Sequence, residues 1–154
     1  MNAAFRQVDP LPTAVPQTVI DAADAEYALL TNVYERVSPS VVNIEVVVDM
    51  PVPGLGDQAS GSGFVYDAEG HIITNAHVVA DAVEVRVTFE DGYVATAQIV
   101  GVDTYSDLAV LKVDTDAQRL QPVTFGDSEV LQVGQRAIAI GNPFGLASSM
   151  TVGI

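Results

Sequence analysis

At 154 residues, with 49% apolar and 17% charged residues, the chain has the size and composition of one globular domain that buries a core, or of a piece of a larger one. Six Lys and Arg against 20 Asp and Glu give a formal charge of −14. That charge repels nucleic acid and anionic membranes and argues against nucleic-acid binding. The absence of cysteine removes disulfides, thiolate metal sites and a cysteine nucleophile together.

The acidity is read as a solvated surface, although it also suits basic or unfolded polypeptide partners. No stretch approaches the roughly 18 apolar residues of a membrane span, and MNAAFRQVDP has no apolar signal core behind its charge. The chain therefore reads as cytoplasmic, or as following a targeting segment upstream of Met1. Residues 8–20, VDPLPTAVPQTVI, carry three prolines and no apolar period, so 1–22 is expected to be a disordered or linker arm. A helix is predicted over 23–37. Leu30, Val33, Tyr34 and Val37 fall at i, i+3, i+4 and i+7, Asp21 or Asp24 caps the start, Arg36 suits the last turn, and Pro39 stops it.

From residue 40 the period changes to two. VVNIEVVV (41–48) is β-branched, and DMPVPGLGDQAS (49–60) reads as a Pro/Gly loop. GSGFVYD (61–67) pairs through an Ala-Glu-Gly turn with HIITN (71–75). Val83, Val85, Val87 and Phe89 alternate with Glu84, Arg86 and Thr88, and Asp91-Gly92 turns the chain into YVATAQIV. LAVLKV (108–113), RAIAIG (136–141) and SMTVGI (149–154) add three strands. Short strands with turn signals between them and little helix indicate an all-β barrel or sandwich. TVGI lacks the polar tail that protects a terminal strand. The chain is therefore expected to be truncated, leaving 136–141 and 149–154 with unpaired apolar edges and prone to aggregation.

The chain has two histidines. His77 sits inside IITNAHVV (72–79), where its plain reading is a buried imidazole satisfied by backbone. His71, beside Gly70, reads as an exposed strand residue. Six residues along one strand would hold the two rings about 20 Å apart, so a shared metal ion is not expected. A catalytic base needs a carboxylate to fix its tautomer, and Asp107, directly before LAVLKV, is the better placed candidate. A charge at the entrance to a core must be paired or solvated. Asp107 also reads as a turn aspartate, and Asp103, among polar turn residues, is a weaker partner.

TNAHVV (74–79) and SDLAVLKV (106–113), preceded by SGSGFVYDAEGHII and followed by FGDSEVLQVGQRAIAIGNPFGL (125–146), resemble an HtrA-type serine protease of the trypsin-like, two-barrel group. The resemblance runs from Val33 to the last residue. It implies that His77 is the general base and Asp107 the aspartate that orients it. It implies a first β-barrel over 38–118, and over 119–154 an inter-barrel connection with the truncated start of a second barrel. The family's nucleophile lies in a Gly-Asn-Ser-Gly-Gly segment, which this chain does not contain. Ser62, between two glycines, matches the strand before the histidine hairpin, where the glycines permit close packing. Ser128, in a Gly-Asp-Ser triplet similar to the motif, is followed by Glu129 and matches the inter-barrel connection. Neither is expected to be nucleophilic.

The resemblance thus implies an endopeptidase that cleaves misfolded or exposed polypeptide by acyl-enzyme chemistry, without cofactor or metal, with this chain inactive alone. It further implies a homotrimer in full-length form and a location in the periplasm or cell envelope. Two other readings compete. One is a non-catalytic, chaperone-like degenerate barrel that binds polypeptide at a sheet edge. The other is a purely structural β-domain, against which Thr74, Ala76, His77 and Asp107 all match the family in order.

Overall fold

The structure, a computed structural model, describes residues 15–48, 58–142 and 149–154. The chain divides into two compact units between Val33 and Tyr34. Helix α1 (Gln17–Val37) begins well before the expected Ala23, and residues 1–14 of the expected arm lie outside the described residues. The prolines account for the difference. Pro16 stands just outside the first turn, where its missing N–H costs nothing, and its carbonyl accepts from Val19 and Ile20. Everything beyond it is Ala-rich and helix-forming. Asp21 is therefore no cap; it accepts from the Gln17 side-chain amide at 2.8 Å, one turn back. The predicted stripe holds, since Leu30, Val33, Tyr34 and Val37 are half-buried. Pro39 ends the helix as expected, inside a 3₁₀ turn at Ser38–Ser40.

The second unit is built on six strands: β1 (Val41–Val48), β2 (Gln58–Val65), β3 (His71–Thr74), β4 (Ala82–Thr88), β5 (Val94–Asp103) and β6 (Leu108–Val113). They close into a barrel in the order β1-β2-β3-β6-β5-β4, antiparallel throughout. Alternate side chains point inward, as the period of two requires. Val42, Ile44 and Val46 of β1 meet Ile72, Val85, Val87 and Leu111, all at most 3% exposed. Ala95, Ala97 and Ala109 join these larger residues in one buried core, small side chains beside large ones as a narrow barrel requires. Leu120, beyond β6, joins the same core.

Turn chemistry accounts for the connections. Gly92 takes φ +80°, Phe89 and Tyr93 close the hairpin backbone, and Asp91 accepts from the Tyr93 N–H, as Asp-Gly predicts. Between β2 and β3, Asp67 accepts from the Glu69 and His71 N–H groups at 3.0 Å each, and Gly70 takes φ +93°. β5 runs past the expected Val100 because a bulge between Ile99 and Gly101 lets pairing with β6 resume. β2 starts at Gln58, earlier than the expected loop end, and loop residues 49–57 lie outside the described residues. The glycines around Ser62 have the predicted role. A Cβ on Gly61 would stand 2.7 Å from Val78, and one on Gly63 2.7 Å from Ile44.

Strands β7 (Ala137–Gly141) and β8 (Ser149–Gly153) form a separate two-stranded antiparallel sheet. Both match their sequence-predicted positions to within a residue. None of their described residues is fully buried. Asn142, just after β7, donates its N–H to the Ser62 hydroxyl at 2.8 Å and so ties this sheet to β2.

Candidate active site

β3 and β6 pair with Thr74 opposite Ala109, so the residues leaving β3 lie over those entering β6. Thr74 donates its hydroxyl to the Ser62 carbonyl (2.8 Å), which satisfies a buried polar group where β3 ends. Asn75 is still extended, and Ala76–Val78 then make one 3₁₀ turn. Ala76 and Val79 are buried, and Val78 lies against the bare Cα of Gly61. The turn therefore swings His77 outward. Its side chain is 72% exposed, so the buried histidine that the surrounding apolar run allowed is not what forms. Apolar neighbours anchor the turn and leave the imidazole outside.

Asp107 ends the turn before β6 with φ +53°, a left-handed conformation that aspartate tolerates better than most residues. One carboxylate oxygen accepts the His77 backbone N–H at 3.0 Å, and the other faces Nδ1 of the ring at 2.8 Å. A carboxylate only accepts, so Nδ1 carries a proton, and in the neutral imidazole that leaves the lone pair on Nε2. The Asn75 amide donates to both the Asp107 carboxylate and the Asp107 carbonyl, each at 3.1 Å. Asn75 carries no catalytic signal in the sequence, and its only mark is its place directly before the turn.

Asp103, the weaker candidate, is occupied elsewhere. Its carboxylate accepts from the Tyr105 and Ser106 N–H groups. His71 is half-buried rather than exposed, with Nδ1 2.6 Å from Asp67. The reason is local: Asp67, engaged with the turn backbone, also reaches the ring. Among the described residues no three metal-ligating side chains cluster. Ser62 accepts from Asn142, and Ser128 opens a 3₁₀ turn capped by Asp127, while the described hydrogen bonds of the His77 ring go to Asp107.

Donors hold the Asp107 carboxyl below the usual carboxylate range, the His77 backbone N–H first, then its ring, with a smaller share from Asn75. A depressed folded value stabilises the native state above the unfolded value, and the contribution disappears as pH falls through the folded one. The difference in urea midpoint between the wild type and D107N is therefore expected to be full above about pH 4 and to close on further acidification. Equal differences at both ends of that range would show that the carboxylate has no such linkage.

The trypsin-like peptidase domain matches residues 61–154. The chain is 49% identical to a "Probable periplasmic serine endoprotease DegP-like" of Chlamydia trachomatis, over 66% of this chain and 20% of that protein. It is 37% identical to the "Putative serine protease HhoB" of Synechocystis, over 94% of this chain and 39% of that protein. The solved structure of the HtrA-type protease AlgW with tripeptide matches with a TM-score of 0.70 at 36% identity, over 80% of this chain and 38% of that one. The chain thus spans between a fifth and two fifths of the length of these relatives. The closed barrel is the first barrel of a trypsin-like double barrel, and β7 and β8 are opening strands of the second. By its motifs, its barrel and these relatives, the chain belongs to the trypsin-like peptidase family and is of the HtrA type.

Proposed function

We propose that this chain supplies the general base and the orienting carboxylate of an HtrA-type serine endopeptidase that cleaves exposed or misfolded polypeptide. The observation that carries the reading is the held and exposed imidazole: Asp107 fixes Nδ1 at 2.8 Å while 72% of the His77 side chain faces solvent. In this reading Nε2 takes the proton of an attacking serine hydroxyl as its oxygen bonds to the scissile carbonyl carbon. The C–N bond then breaks as His77 returns that proton to the leaving amine. Asp107 stays ionised throughout and stabilises the imidazolium between the two steps. Water repeats the cycle on the acyl-enzyme.

Residues 1–154 contain no Gly-Asn-Ser-Gly-Gly segment, so the serine and its oxyanion hole would come from outside them, and the chain alone would be inactive. Residues 38–118 would form the first barrel domain, and 119–154 the connection and the start of the second. Relatives named as periplasmic support an extracytoplasmic location. A homotrimer is the assembly that the family resemblance favours.

A serine-directed fluorophosphonate probe tests the division of labour. It is expected to label the complete gene product once, at a serine beyond Ile154, and to leave the 154-residue chain unlabelled. Labelling at Ser62 or Ser128 would refute their assignment as structural. A complete product that takes no label and cleaves no denatured protein would favour the non-catalytic, polypeptide-binding reading.

A further inference from the structure

We infer that Asn75 is a positioning residue for the His77–Asp107 pair: its side-chain amide clamps the Asp107 carboxylate and backbone carbonyl together. This rests on the proposed role of that pair and adds to it a component that acts through Asp107 without touching substrate. The geometry is specific. The amide spends its donors on one residue, at 3.1 Å to the carbonyl and 3.1 Å to the carboxylate oxygen that faces Nδ1.

Two consequences follow from where those bonds go. Asp107 has φ +53°, a conformation that aspartate tolerates better than most residues but at some cost, and a donor on its carbonyl is one constraint that holds it there. The second bond fixes rotation of the carboxylate, so that one oxygen stays on the His77 N–H and the other on Nδ1. Without the amide, the exposed carboxylate would be held by the His77 N–H and ring alone and would rotate and solvate more readily, loosening the contact that selects the ring's tautomer. Asp103, the nearest other carboxylate in this turn, is engaged with the Tyr105 and Ser106 N–H groups and is in no position to replace Asn75, being an acceptor itself.

The paired histidines provide an internal control. His71 and Asp67 repeat the same scheme, backbone N–H and Nδ1 on one carboxylate, and among the described residues Asp67 is held by the turn N–H groups of Glu69 and His71 and by the ring itself, with no asparagine. Substituting Asn75 should therefore disturb one pair and spare the other.

The test is proton–nitrogen spectroscopy of the imidazoles, with carboxyl titration, in the isotope-labelled 154-residue chain and in its N75A and N75D variants. N75D keeps the shape, removes the donors and adds a like charge. The unsubstituted chain is expected to show His77 as the Nδ1–H tautomer. In both variants the Nδ1 proton of His77 should exchange with water roughly tenfold faster, the Asp107 titration should move upward, further in N75D, and His71 should be unchanged. An Nε2–H tautomer of His77 in the unsubstituted chain would overturn the pair and with it the clamp. An Nδ1–H signal and Asp107 titration that neither variant moves would overturn the clamp alone. Loss of the His71 pair as well, in both variants, would make Asn75 a fold residue and also overturn it.

Discussion

Replacing His77 with alanine in the complete gene product is expected to lower kcat for a denatured polypeptide on the order of 10⁶-fold, the cost of deleting the base from a triad that acts as a unit. D107N is expected to cost about 10⁴-fold, for a different reason. An amide in place of the carboxylate can present N–H to Nδ1, which then accepts and leaves the proton on Nε2, so the base faces the serine with no lone pair. In both variants KM should stay within a few-fold while kcat falls, because neither side chain is expected to bind the ground state. Both side chains are substantially exposed, at 72% and 45%, so circular dichroism and thermal midpoints should confirm that the fold survives. A His77→Ala enzyme that kept activity within tenfold of wild type would remove His77 from the chemistry.

The largest effect on stability is expected at Gly70. It combines φ +93° with a Cβ position only 2.4 Å from the carbonyl oxygen of Val113. That carbonyl belongs to the end of β6, and the Val113 N–H in turn donates to the Gly70 carbonyl at 3.0 Å, so the two strands lock against each other there. Gly70→Ala must therefore meet backbone strain and displace a strand end, and is expected to destabilise the barrel by about 3 kcal/mol or more. Gly92→Ala is the control. Gly92 has φ +80° with nothing within 4 Å of the added methyl, so only the conformational term remains, about 1 kcal/mol. Urea denaturation of the two variants distinguishes the terms, and equal losses would mean that the Val113 contact is not a constraint.

Legibility in the sequence followed the range of the forces involved. The alternation in β1 and β4 and the Asp-Gly hairpin are dictated within a few residues, and each appears where its pattern placed it. The helix start is not legible locally, because Pro10, Pro12 and Pro16 form one run without an apolar period, whereas Pro16 directly precedes the first turn. The start of β2 is not legible in the sequence, because Gln58, Ala59 and Ser60 have little strand propensity and are held by pairing with Val47, Val46 and Glu45.

The site divides in the same way. The sequence alone determined that the chain has no cysteine chemistry, that its strands suit a barrel, and that His77 and Asp107 resemble a base and its partner. Composition and periodicity had no means of deciding whether His77 is buried or exposed, because an apolar stretch serves equally as a strand interior or as the anchors of a turn; only the resemblance implies a turn at Asn75 and Ala76 that takes His77 out of the sheet. Only the tertiary structure decided that. Pairing of β3 with β6 brings residues 30 positions apart into hydrogen-bond contact, turns the imidazole outward, and sets Asn75 on both ends of Asp107. Those contacts depend on barrel closure and strand register, which are properties of the whole sheet and of no local segment.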